Sequence, residues 1–314
     1  MFNYTRAEIN EIAKEHNFIS NTTEKVLRLY DILEYVNQSK YGNMLALKGG
    51  TAINLCLLNL PRLSVDIDFD FAKESSREEM LEYREQIRKM ITGYMMDEGY
   101  ALSDRSKFVH TLDSYVWSYD TLSKSRDVLK IEINYSERCH IINPILTASS
   151  GVLGKTIDVY RLADAELIGS KINALIVRTT PRDIYDVFNL KKAGLIVDTN
   201  LIKKIAIFYA VLGSDKPVVF DDIINEAYRK MSEINYNKVR ETLLPVLHKG
   251  EKIIIEEVVM VVIDYLKNMF QLSKQEMEYI ERYNHGEFVP ALLFDELDIN
   301  DISNHPMALW KVKK

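Results

Sequence analysis

Apolar residues recur along this chain at two different periods, and the change from one to the other divides it. Between Leu45 and about Ile157 several short stretches alternate apolar with polar residues, the pattern of a half-buried strand. The clearest are Val65, Ile67 and Phe69 against Asp66, Asp68 and Asp70, and Leu129, Ile131 and Ile133 against Lys130, Glu132 and Asn134. A further strand is predicted over residues 44–47. Ahead of this region, residues 4–37 read as two helices, the second carrying an apolar stripe of Leu27, Leu29, Tyr30, Leu33 and Val36. A long charged helix over residues 76–98 is predicted to stop at Gly99. From Ala163 onward a helical period takes over, with helices over residues 165–177, 201–212, 239–247, 253–270 and 274–283. The pattern predicts an α/β (α+β) bilobed chain. Residues 1–160 form a small mixed sheet with helices, and residues 161–314 form a helical lobe that contributes to the active-site cleft.

Chemistry gathers first where the strand at 44–47 runs into Lys48, Gly49, Gly50 and Thr51. Glycines without a Cβ let backbone N–H groups close on phosphate oxygens, and a helix starting at Thr51 aims its positive end at the same place. The next strand presents Asp66 and Asp68 on one face, because side chains two apart in a strand point the same way. Two neighbouring carboxylates repel unless a cation or proton lies between them. Magnesium, with its preference for hard oxygen ligands and substrate phosphates, is the expected cation. Glu132 is the candidate third ligand. Two ions about 3.5–4 Å apart would then clamp the attacking and leaving oxygens of a phosphoryl displacement. The alternative is that Glu132 is the wet side of a half-exposed strand. Asp70 lies one repeat beyond Asp68, roughly 6–7 Å along the strand, and reads as a residue outside the site.

The helix over residues 165–177 brings Lys171, Ala174 and Arg178 onto one face. Such a row can neutralise charge on a leaving pyrophosphate, or it can be a solvated basic face. Thr180, Pro181, Arg182 and Asp183 read as the next helix start, with Thr180 as N-cap, Pro181 at the first position and Asp183 closing a capping box. Asp186 favours the same helix end. Either Asp183 does no more than cap, or an acidic residue in this turn orients Lys171 or takes a proton from an acceptor hydroxyl.

Composition narrows the partners. The chain has 314 residues, 47% hydrophobic and 27% charged, with a net charge of −6. That balance argues against coating nucleic acid by bulk charge, so any RNA must meet a few clustered Lys and Arg residues. Apolar runs near residues 253–263 are broken by Glu256 and Glu257, so no membrane span or leader is expected. Cys56 and Cys139 give neither a disulfide framework nor metal-ligand spacing, and a cytoplasmic location is expected. The six histidines show no ligand spacing, and no nucleophile elbow or Walker loop is present.

With these residues in view, the chain resembles the DNA polymerase β-like nucleotidyltransferases and, more narrowly, the AbiEii family of type IV toxin–antitoxin toxins. The resemblance rests on Leu47 to Ala52, Arg62 to Phe69, Lys130 to Ile133, Lys171 to Leu175, and Arg178 through Pro181 to Asp186. His305, Pro306, Met307 and Trp310 look like the family's ending. The family often has Ser after its second glycine, where this chain has Thr51. The resemblance implies a bacterial abortive-infection, phage-defence toxin, countered by an antitoxin without a stable complex; a monomer is expected. It implies Mg2+-dependent transfer of a nucleotide from an NTP, GTP being favoured, to an acceptor such as the tRNA 3′ end. Carried over, Asp66, Asp68, Lys171 and Asp183 are catalytic, and Asp66, Asp68 and Glu132 hold metal. Lys48, Gly49, Gly50, Thr51, Arg178 and Arg182 bind the nucleotide. Rival expectations are an antibiotic-modifying nucleotidyltransferase and a non-catalytic nucleotide-binding regulator.

Overall fold

The computed structural model describes residues 2–215, 217–295 and 298–313. The fold divides into an α/β unit and a mostly helical unit. The first comprises Met1–Cys139, Pro144–Leu162 and Val246–Gly250; the second comprises His140–Asn143, Ala163–Pro245 and Glu251–Lys314.

The α/β unit opens with α1 (Arg6–Glu15) and α2 (Ser20–Gln38). Thr5 and Glu8 form a capping box that satisfies the first free N–H groups of α1. Strand β1 (Leu45–Lys48) leads into the short α3 (Gly49–Ala52), a π-turn (Ile53–Leu57) and then β2 (Asp66–Phe71). Next come α4 (Arg77–Asp97), β3 (Ala101–Leu102), β4 (Lys107–Val109), β5 (Leu112–Asp120), β6 (Arg126–Asn134), β7 (Ile145–Ala148) and β8 (Asp158–Arg161). Among the described residues these strands make one mixed eight-stranded sheet in the order β3-β5-β6-β2-β1-β8-β7, with β4 paired to β5. Central β2 runs parallel to β6 and antiparallel to β1. Ile67, Phe69, Phe71, Leu129, Ile131 and Ile133 are buried, as the alternation predicts. Each such side chain contributes roughly 1.5–3 kcal/mol of apolar burial.

The helical unit contains α5 (Asp164–Arg178), α6 (Pro181–Lys192), α7 (Thr199–Gly213), α8 (Phe220–Ser232), α9 (Tyr236–Thr242), α10 (Ile255–Met269), α11 (Lys274–Asn284), α12 (Ala291–Phe294) and α13 (Pro306–Val312). Its centre is α5, which packs on α6, α7 and α8. Gly169 sets one of these crossings: a Cβ there would lie 2.5 Å from Ile205 Cγ2 of α7. Glu166, fully buried on α5, accepts the backbone N–H groups of Ile141 (3.2 Å) and Ile142 (2.8 Å). That contact ties residues 140–143 into this unit. Among the described residues, no helix is long and apolar enough to cross a membrane.

Candidate active site

Pairing across the sheet builds the acidic part of the site. Lys48 lies opposite Asp68, and Asp68 lies opposite Glu132, so three charged residues form one row across β1, β2 and β6. Asp66, two residues before Asp68, shares its face and lies opposite Lys130. The Gly-Gly turn is fitted to this row. Gly49 has φ +70°, and a Cβ there would lie 2.9 Å from Asp68 Oδ2; at Gly50 a Cβ would lie 2.7 Å from Arg62 Nη2. Gly49 is thus required by its left-handed backbone, while at Gly50 a Cβ would press on the flexible side-chain tip of Arg62.

Helix α3 begins at Gly49, two residues before the predicted start at Thr51, because the carbonyls of Gly49 and Gly50 already accept the Ile53 N–H. Thr51 is buried inside the turn. Its hydroxyl bonds to the Asp66 carbonyl and lies 3.0 Å from the Ser64 hydroxyl, which locks the turn to the start of β2.

Charge within the row is uneven. Lys48 Nζ pairs with Asp70 at 2.5 Å. Asp70 is therefore the buried partner that anchors Lys48 of the row rather than a residue outside the site. Although burial alone would lower the Lys48 pKa, Asp70, Glu137 and Asp68 together raise it. Lys130 Nζ takes Glu132 at 2.7 Å along the same strand. Asp68 has no cation within ion-pair distance among the described residues. Burial, with Asp66 and Glu132 adding to it against Lys48 and Lys130, pushes its carboxyl up to about 6. As the side chains stand, no group of three or more His, Cys, Asp or Glu among the described residues is arranged to hold a metal ion.

The second cluster belongs to the helical unit. Lys171 is buried, so the solvated-face alternative does not hold for it. Its Nζ lies 2.7 Å from Asp183 Oδ1 and 2.6 Å from Asp186 Oδ2. Arg178 Nη2 reaches the same Asp183 oxygen at 3.1 Å, with its side chain 60% exposed. Thr180 caps α6 by accepting the Asp183 N–H at 3.3 Å, while its hydroxyl donates to Asp183 Oδ2 at 2.7 Å. The Asp183 carboxylate takes the Thr180 hydroxyl rather than the Thr180 backbone N–H, so the expected capping box is not completed, and the same carboxylate holds Lys171. Burial works against its charge, but Lys171, Arg178 and the Thr180 hydroxyl outweigh it and hold the carboxyl below its ordinary range. Arg182 Nε donates to the Thr242 carbonyl at 2.6 Å.

The structure thus gathers Lys48, Gly49, Gly50, Thr51, Asp66, Asp68 and Glu132 in one unit, and Lys171, Arg178, Arg182 and Asp183 in the other. Sequence reasoning missed Arg62 behind Gly50 and the Asp70 anchor for Lys48. Arg62 lies in a loop outside any periodic run, and the alternation that marks Asp70 carries no sign of its pairing with Lys48 across the sheet.

A mixed sheet with a Gly-Gly turn closed onto acidic strands is the core of a nucleotidyltransferase. The chain belongs to the family described as nucleotidyl transferase AbiEii toxin, type IV TA system, whose model matches residues 31–254. It is accordingly a nucleotidyltransferase toxin of a type IV toxin–antitoxin system, which implies an NTP substrate and an antitoxin counterpart. Its fold is similar to that of MenT4, nucleotidyltransferase toxin Rv2826c from Mycobacterium tuberculosis H37Rv. The TM-score is 0.63 at 16% identity, covering 88% of this chain and 94% of that one. No curated protein matches the sequence.

Proposed function

We propose that this toxin moves a nucleoside monophosphate from an NTP, in a magnesium-dependent reaction, to the terminal hydroxyl of tRNA. The acceptor oxygen forms a bond to the α-phosphorus, the bond from that phosphorus to the bridging oxygen breaks, and pyrophosphate leaves. The hydroxyl proton passes to a carboxylate or to solvent. The observation that carries the reading is the row of Lys48, Asp68 and Glu132, with Asp66 beside it and Gly49 closed onto Asp68.

The residues fit a divalent cation in part. Asp68, crowded by Asp66 and Glu132 and held up to about 6, lacks the positive charge that such an ion supplies. Asp66 and Asp68 would hold it, and Glu132 would join them on release from Lys130. Bound there, the ion would offset charge on the phosphate oxygens. The chain's own groups do the rest. The Gly49 and Gly50 backbone offers N–H donors to phosphate, Lys48 adds a charge fixed by Asp70, and Thr51 keeps the turn in shape. In the helical unit we assign Lys171, held by Asp183 and Asp186, and the exposed Arg178 to countering triphosphate charge, with Arg182 supporting them. GTP is the expected donor.

The test is to incubate the toxin with each of four α-labelled NTPs and total cellular RNA, and to resolve the products by size. A labelled band at tRNA length, strongest with GTP and absent with γ-label, is the expected result. Label found only on added aminoglycosides, or on nothing, would overturn the acceptor assignment.

A further inference from the structure

A second charged feature of the α/β unit lies past the ends of β2 and β6 and plays no part in the row described above. Arg77 opens α4, Arg138 follows β6, and His110 sits in the turn between β4 and β5. Arg77 Nη2 lies 3.4 Å from His110 Nε2. Neither arginine has a carboxylate within ion-pair distance among the described residues, and Arg138 Nε is buried with no hydrogen-bond partner. Burial and then the like charge of Arg77 lower the Arg138 pKa, with Glu78 opposing them. A buried guanidinium nitrogen without a hydrogen-bond partner is costly unless an acceptor, such as an anion, completes its set.

The surroundings fix this arrangement. Arg84 of α4 donates to the carbonyls of Val109 (2.5 Å) and His110 (2.7 Å), pinning the β4–β5 turn to the helix that carries Arg77. Arg84 and Arg88 also share the single buried carboxylate of Asp113, leaving a net positive charge there. On the adjoining surface the Phe108 ring is 45% exposed, with the Arg88 guanidinium 5.1 Å from its centre. Paired cations beside an exposed ring are what a nucleic-acid strand engages, through its phosphates and by base stacking.

We infer that Arg77, Arg138 and Phe108 form a docking surface for the RNA acceptor, the arginines taking a backbone phosphate and Phe108 stacking a base. The chain is acidic overall, so RNA must be met by a local patch of this kind. From Asp68 to the end of β2 is three residues, about 10 Å of strand, so the patch contacts RNA away from the reacting end. The inference rests on the RNA-acceptor reading above.

The test uses the full chain and dye-labelled total tRNA, with affinity measured by fluorescence anisotropy across a salt series. Arg77→Ala/Arg138→Ala should weaken binding ~10-fold and reduce the slope of log affinity against log salt by roughly 0.7–0.9, the contribution of the one phosphate contact they share. Phe108→Ala should weaken binding a few-fold without changing the slope, and NTP affinity should stay unchanged in both variants. Arg77→Glu, at an exposed position, gives the same reading should the Arg138 change impair folding. RNA affinity and slope unchanged in Arg77→Glu and in the double variant would overturn the patch, as would a loss confined to NTP binding. Wild-type protein that binds no RNA would overturn the RNA-acceptor reading and the patch together. Wild type that labels RNA while the variants match it would overturn the patch alone.

Discussion

Asp68 on β2, partly buried, and Asp183 on α6, buried, are both acidic, yet their surroundings push them in opposite directions. Asp183 has Lys171, Arg178 and the Thr180 hydroxyl, and its carboxyl is held below the ordinary range. Asp68 faces Asp66 and Glu132, while the nearest lysine in its row, Lys48, is committed to Asp70, and its carboxyl rises to about 6. The first cluster balances its own charge, which holds Lys171 in place between Asp183 and Asp186. The second leaves a raised carboxyl without a counter-charge in ion-pair reach, and perturbed groups of that kind concentrate at functional sites.

The largest expected effect separates the two regions by activity. Asp68→Asn should cut nucleotide transfer on the order of 10³-fold, the several kcal/mol that a metal clamp contributes. Single-turnover transfer from α-labelled NTP measures it, and a loss under tenfold would remove Asp68 from the reaction. The second prediction concerns the balanced cluster. Lys171→Met leaves two buried carboxylates with too little compensation and should destabilise the fold by about 3–5 kcal/mol, read from urea melts. Full retention of stability would show that the pairs with Asp183 and Asp186 are dispensable.

Third, Asp68→Asn should stabilise the protein near neutral pH. A carboxyl raised from 3.8 to about 6 favours the folded state most below pH 3.8, and this advantage is lost as pH rises through about 6. The variant should therefore gain up to about 3 kcal/mol at pH 7 and little at pH 4. For Asp183 the sign is reversed: its contribution is present at neutral pH and is lost only on acidification through the carboxylate range. Equal gains for Asp68→Asn at both pH values would break the contrast. Smallest is Gly49→Ala, which forces a Cβ into a left-handed conformation beside Asp68 and should cost about 1–2 kcal/mol. Thermal melts and transfer rates together would show whether it also disturbs the site.

Much of this was legible from local pattern. Alternation placed Asp66, Asp68 and Glu132 on one sheet face, and Thr180 followed by Pro181 marked the start of α6, because caps and strand faces are set by neighbours in the chain. What escaped depends on distant segments. Lys48 and Asp70 meet only once β1 pairs with β2, and Arg62 packs behind Gly50 through a loop. For Lys171 the sequence leaves a phosphate contact and a solvated face open, and for the Asp183 turn either capping or orienting Lys171; only the folded chain shows Asp183 and Asp186 both closing on its amine. The Arg77 and Arg138 pair, 61 positions apart, needed the ends of two strands to be brought together.

The central claim is that Asp68 carries a charge deficit which a divalent cation fills, and the direct measurement is its carboxyl pKa by carbon-13 NMR, with and without magnesium and a non-hydrolysable NTP. The account predicts a value near 6 for the free protein and one below the ordinary carboxylate range once the ion and nucleotide are bound. A free-protein value at or below 3.8, or a raised value that magnesium does not move, would contradict it.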